Sequence, residues 1–133
     1  MDETHVPDGL LAHFVALAEL GDVTMALTLT VHGVIVSGTL SSGIAYCDAL
    51  SDIFATAITD PGIARTWQQM FRRVATESRG ALDAMDAAGP IALGADAHIH
   101  LRDASVRFSS GDRLTLGWWR GRLRSIDGWV FGG

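Results

Sequence analysis

The sequence predicts an α+β fold: a bent, mostly antiparallel small β-barrel of about five strands, with an N-terminal helix and a helical insertion. Three observations predict it. Val23, Met25, Leu27, Leu29 and Val31 alternate with Thr24, Ala26, Thr28 and Thr30, the period-two pattern of a half-buried strand. His32-Gly33 then reads as a tight turn that sends Val34–Leu40 back as the partner strand. From Ile44 the apolar period becomes that of a helix, and from Ala97 it returns to that of a strand.

The first element, within 1–21, is an amphipathic helix. Asp8 after Pro7 offers an N-cap, Leu10, Leu11, Phe14, Leu17 and Ala18 recur at helical spacing, and Gly21 supplies a stop. His13 reads as a surface or rim residue. The hairpin occupies 22–42, and Gly38 inside its second strand suggests a sharp bend or a close backbone approach. The helical insertion, 43–96, opens with a stripe of Ile44, Cys47, Leu50, Phe54 and Ile58 that Asp60-Pro61-Gly62 ends. A second helix carries Ile63, Trp67, Met70, Phe71, Val74, Leu82 and Met85, weakened partway by Gly80 and closed by Gly89-Pro90. Its aromatic and methionine stripe is expected to be core packing, and the insertion is expected to lie beside the barrel.

The C-terminal strands occupy 97–133. His98-Ile99-His100-Leu101 alternates, Arg102-Asp103 breaks the parity, and Ala104, Val106 and Phe108 resume one residue out of phase, as at a bulge or turn. Ser109-Ser110-Gly111-Asp112 is a loop, Leu114–Arg124 a strand, Ser125–Gly128 a turn, and Trp129-Val130-Phe131 a closing strand. The whole of 1–133 reads as a single domain.

Composition narrows the function. Of 133 residues, 48% are hydrophobic and 19% charged, enough to build a core and too apolar for wholesale disorder. No apolar run approaches the ~20 residues of a membrane-spanning helix. The opening Met-Asp-Glu-Thr-His is acidic where a signal peptide is basic, so a cytoplasmic protein is expected. The single cysteine, Cys47, allows no internal disulfide and no Cys-x-x-Cys zinc site. Lysine and asparagine are absent and all ten basic side chains are arginine, a bias that a GC-rich genome produces. Residues 1–64 hold eight acids and no arginine, whereas 65–133 hold ten arginines against seven acids. Such asymmetry suits either pairing within the fold or association of copies through opposite faces.

Candidate chemistry is sparse. His98 and His100 share a strand face and could chelate a metal with Asp96 or Asp103, but nothing dictates a third ligand. Two exposed histidines on a polar face is the plainer reading, and no metal or other cofactor is expected. There is no Gly-x-Ser-x-Gly elbow, no phosphate-cradling glycine loop, and Cys47 sits on an apolar stripe, so no enzyme is expected. Trp118-Trp119-Arg120-Gly121-Arg122-Leu123-Arg124 mixes aromatics with arginines, as surfaces for single-stranded nucleic acid do. Strand alternation sends the two tryptophans to opposite faces, however, and the net charge of −5 opposes a phosphate backbone.

The element order, with Gly33–Leu40, Ile99–Ala104 and Trp119-Arg120-Gly121, resembles an Sm-like (SH3-like) small barrel, which implies a nucleic-acid-binding module as the alternative function. More closely, Val36-Ser37-Gly38-Thr39-Leu40, His98-Ile99-His100-Leu101, Trp119-Arg120-Gly121-Arg122-Leu123 and Ser125-Ile126-Asp127-Gly128 resemble the gas vesicle accessory family GvpU. That resemblance implies a non-enzymatic bacterial factor in gas vesicle formation or organisation, acting through contacts with other gas vesicle proteins and not in a membrane. The residues add an expectation of their own. An outward tryptophan beside Arg120, Arg122 and Arg124 has the composition of an interface hot spot, so Trp118, Trp119 and these arginines are expected to join copies into a dimer or larger ring.

Overall fold

The computed structural model describes residues 8–20, 24–88 and 97–132. In chain order the elements are α1 (Gly9–Glu19), β1 (Ala26–Val31), β2 (Val34–Ser41), α2 (Gly43–Ala57), α3 (Pro61–Ala88), β3 (His98–Arg107), β4 (Arg113–Arg122), a 3₁₀ turn (Leu123–Ser125) and β5 (Gly128–Phe131). They fall into two compact units, one of Met1–Ser42 with Ala92–Gly133 and one of Gly43–Ile91.

The first unit is built on a five-stranded antiparallel sheet in the order β4-β3-β2-β1-β5. The expected α+β class and strand number hold, but the sheet does not close: β4 and β5 are its two edges. Closure needs strands long enough to pair on both sides with a consistent stagger. Here β5 has four residues and pairs only with β1, Leu27 to Phe131 through Thr30 to Gly128. A helix takes the place of the missing wall. Leu11, Val15 and Ala18 of α1 join Leu27, Leu29, Val36, Leu40, Ile99, Leu101, Ala104 and Val106 in one buried cluster. Asp8 caps α1 as expected, its Oδ1 accepting the Leu11 N–H at 2.9 Å. The buried stripe is rotated from the expected one, since Leu10 is 57% exposed and Val15 takes its place. Gly21, the expected stop, lies outside the described residues.

Turns and bulges fall where the sequence marks them. His32 (φ 50°) and Gly33 (φ 81°) form the two-residue turn between β1 and β2, both left-handed as a tight hairpin requires. Asp127 fastens it, accepting the His32 N–H at 2.8 Å on Oδ2 while its own N–H donates to the Thr30 carbonyl. The parity break at Arg102-Asp103 is a bulge with Asp103 at φ 52°, after which Ala104 and Val106 return to the core. Gly38 sits opposite that irregularity, where a Cβ would come within 3.0 Å of both the Arg102 carbonyl and Leu101 Cβ. Glycine ordinarily weakens a strand, so alanine should help at an open site. Here we expect Gly38→Ala to destabilise by about 1–2 kcal/mol, because the close approach of β3 leaves no room. Urea denaturation checks the sign: a more stable variant would refute the close approach.

The second unit is a helical hairpin. Asp60 starts α3, its Oδ1 accepting from the N–H groups of Gly62 (2.8 Å) and Ile63 (3.1 Å), with Pro61 at the first helical position. Phe54 of α2 stacks on Trp67 at 5.7 Å between ring centroids and meets Phe71 at 5.2 Å. The stripe of α3 is not the core packing expected of it. Ile63, Trp67, Met70 and Val74 are 39–52% exposed, and Ile53 of α2 is 53% exposed. An apolar helix face spans at least about 100° of arc, more than a single neighbouring helix covers. Gly80 does not interrupt the helix, which runs on to Ala88, and the expected stop at Gly89-Pro90 lies outside the described residues. No described helix is long and apolar enough to cross a membrane.

Candidate functional site

Of the residues expected to form an interface, Trp118, Trp119, Arg120 and Arg122 lie on β4, an edge strand ten residues long, and Arg124 lies just beyond it. Gly117, at φ 84°, opposes Ala104, and two β3 residues then bulge against the single Trp118 before Trp119 pairs with Leu101. That offset resets the strand's phase, so Trp119 turns to the same face as Leu101 and packs against the core. Trp118, one residue earlier on the strand, belongs to the other face and is half-buried. The expectation that the pair divides between faces therefore holds. The Trp119 indole lies over Gly121: a Cβ there would collide with the ring, with Cζ2 only 2.7 Å away.

On the face opposite Trp119, Arg120 pairs in register with His100 and Arg122 with His98. Arg120 Nε donates to His100 Nε2 at 3.2 Å, and His100 Nδ1 stands 3.6 Å from Glu19 Oε1. Arginine Nε is a donor, so in this contact His100 Nε2 is the acceptor. The two histidines are not the exposed pair the sequence suggested: His100 is 7% exposed and His98 half-buried. Glu19, at the end of α1, lies beside the buried His100, a neighbour that strand periodicity gives no means of finding. Among the described residues no three His, Cys, Asp or Glu side chains gather as a metal site requires.

Arg120 and Arg122 are exposed on the strand, whereas Arg124 lies beyond it in the 3₁₀ turn and is half-buried. The expected strand Leu114–Arg124 is thus shifted to Arg113–Arg122. Toward the start of β4, Leu114 and Leu116 are 51% and 39% exposed, with Phe108 of the preceding loop at 42%. The site is a basic, partly aromatic edge strand with the buried His100 behind Arg120.

The protein is thus an open antiparallel sheet carrying a helical hairpin between its second and third strands. The family model of the gas vesicle protein GvpU-like family matches residues 8–133, and the chain belongs to that family. The family is not a known enzyme family. No curated protein and no solved structure matches the chain significantly. The family match leaves the Sm-like nucleic-acid alternative without support.

Proposed function

We propose that this chain is a non-enzymatic accessory protein of the cytoplasm, acting in gas vesicle formation or organisation by binding itself and other gas vesicle proteins. One observation supports the protein-contact reading: β4, ten residues long, is a terminal strand of the described sheet and carries the exposed Leu114, Leu116, Arg120 and Arg122 beside the half-buried Trp118. An edge of this length is a template for pairing with another chain, and soluble proteins normally cover or blunt it. In this reading Trp118 supplies buried area, Trp119 holds the strand to the core, and Arg120, Arg122 and Arg124 steer an acidic partner surface. Each exposed ion pair contributes only ~0–1 kcal/mol, so charge orients the contact and apolar area holds it. The whole of 1–133 acts as one functional domain.

Sedimentation tests self-association. The wild type is expected to sediment as a dimer or larger at micromolar concentration. Leu114→Lys/Leu116→Lys and Trp118→Ala/Arg122→Glu are both expected to shift it to monomer. A wild type that is monomeric throughout, and indifferent to both variants, removes β4 as a self-association edge. Co-flotation with buoyant gas vesicles tests the wider role, and a chain that stays in the subnatant with and without the variants counts against it.

A further inference from the structure

We propose that the outer face of the sheet, away from the β4 residues considered above, holds a site for a dianionic oxyanion: the phosphate group of a small monoester. Arg107 of β3 and Arg113 of β4 stand directly opposite each other in register, and both are exposed. Like charges directly opposite across two strands repel, so the pair carries a standing electrostatic cost unless an anion sits between them. Neither arginine is ion-paired by a carboxylate of the described residues. The acid nearest in sequence, Asp112, is held within the connecting turn, where Ser110 Oγ lies 3.0 Å from its Oδ2 and the Phe108 N–H donates to its carbonyl at 2.9 Å.

Around the arginines is a concavity of about 360 Å³, lined also by Thr28, Ile35, Ser37 and Ser105. Its polar groups are matched to an acceptor-rich ligand. Arg113 Nη2 donates to Ser105 Oγ at 3.2 Å, which leaves the Ser105 hydroxyl hydrogen free to donate outward. Thr28 Oγ1 gives its only hydrogen to the Gly132 carbonyl at 2.7 Å, so in the 3.1 Å contact with Ser37 it is Ser37 that donates. The site therefore offers two guanidinium forks and a serine hydroxyl, with no carboxylate in its lining. Two positive charges favour a dianion over a single carboxylate. Ile35, 38% exposed, supplies an apolar wall on which the organic part of a monoester would rest.

Titration calorimetry on the full chain, at constant ionic strength, tests this with inorganic phosphate, phenyl phosphate and acetate as probes. Saturable binding of phenyl phosphate is expected, weaker binding of inorganic phosphate, and none of acetate. Affinity should rise with pH through about 6, where the phosphate group gains its second charge. Arg107→Gln and Arg113→Gln should each weaken phenyl phosphate binding about tenfold or more, as expected for losing a charge-assisted contact. Ile35→Ser should bring phenyl phosphate down to the affinity of inorganic phosphate. If inorganic phosphate binds as well as phenyl phosphate in the wild type, the ligand is free phosphate and the monoester assignment fails. Absence of saturable binding by both phosphate probes, or binding unaltered by the two arginine substitutions, overturns the site altogether. Arg113 is the first residue of β4, but the substitutions tested here, at Ile35, Arg107 and Arg113, differ from the Leu114, Leu116, Trp118 and Arg122 substitutions that test self-association, so the two proposals are judged by different variants and different measurements.

Discussion

Leu101→Ala is expected to cost about 3–4 kcal/mol, the upper-middle of the range for emptying a buried leucine site. Leu101 is fully buried at the meeting point of three constraints: Trp119 pairs with it from β4, Leu40 pairs with it from β2, and its Cβ borders the space above Gly38. Relaxation is poor at such a site, because the close strand approach that forbids a Cβ at Gly38 also keeps the backbone from collapsing into the cavity. The measurement is urea denaturation followed by tryptophan fluorescence in a Trp67→Phe background. The signal then reports only Trp118, Trp119 and Trp129, all in the sheet unit. A loss below about 1 kcal/mol would mean the site refills, contrary to close packing.

Gly121→Val is expected to be nearly as damaging, at about 2–3 kcal/mol, through the opposite mechanism of overfilling. The Trp119 indole occupies the space where a side chain at 121 would begin. Valine forces the ring to swing off the core or β4 to lift from β3 at the Ile99–Gly121 pair. Either route exposes the indole, so a red shift of native-state fluorescence should accompany the lost stability. Gly121→Ala should fall between valine and wild type. A valine variant as stable as wild type, with unshifted emission, would show that Trp119 does not lie across Gly121.

The elements legible in the sequence are those whose signal is local. The threonine alternation of β1, the His32-Gly33 turn and the phase slip at Arg102-Asp103 each follow from two-residue periodicity or left-handed backbone preference, and each appears where expected. Closure of the sheet was not legible, because it depends on the pairing partner and length of β5, which Trp129-Val130-Phe131 does not encode by itself. The exposure of Ile63, Met70 and Val74 was hidden for a related reason: a helical stripe states that a face is apolar, not that another element covers it. At the candidate site, the division of Trp118 and Trp119 between faces was readable from alternation alone. Glu19 beside His100 was not, since 81 residues separate them and only the docking of α1 brings them together. Arg107 and Arg113 were not either: counting outward from the expected Ser109–Asp112 loop sets Arg113 opposite Phe108, whereas Phe108 belongs to the connection and the register moves by one residue.

The position of the helical hairpin in the chain bears on how the sheet assembles in time. β1 with β2, and β3 with β4, are joined by short turns and can form early as local hairpins. Joining them requires β2 to find β3, and the pair Ser41–His100 closes a loop of roughly sixty residues, an entropic barrier of about 3–4 kcal/mol for a flexible chain. A loop that has already wound into α2 and α3 is no longer flexible over that length. Its helices form from neighbouring residues in about 0.1–1 μs, ahead of β-hairpins at about 1–10 μs, and the remaining search is for a much shorter stretch. The helical unit is thereby placed to act as a kinetic splint, making the rate at which the central strands meet depend on residues that lie between them in sequence.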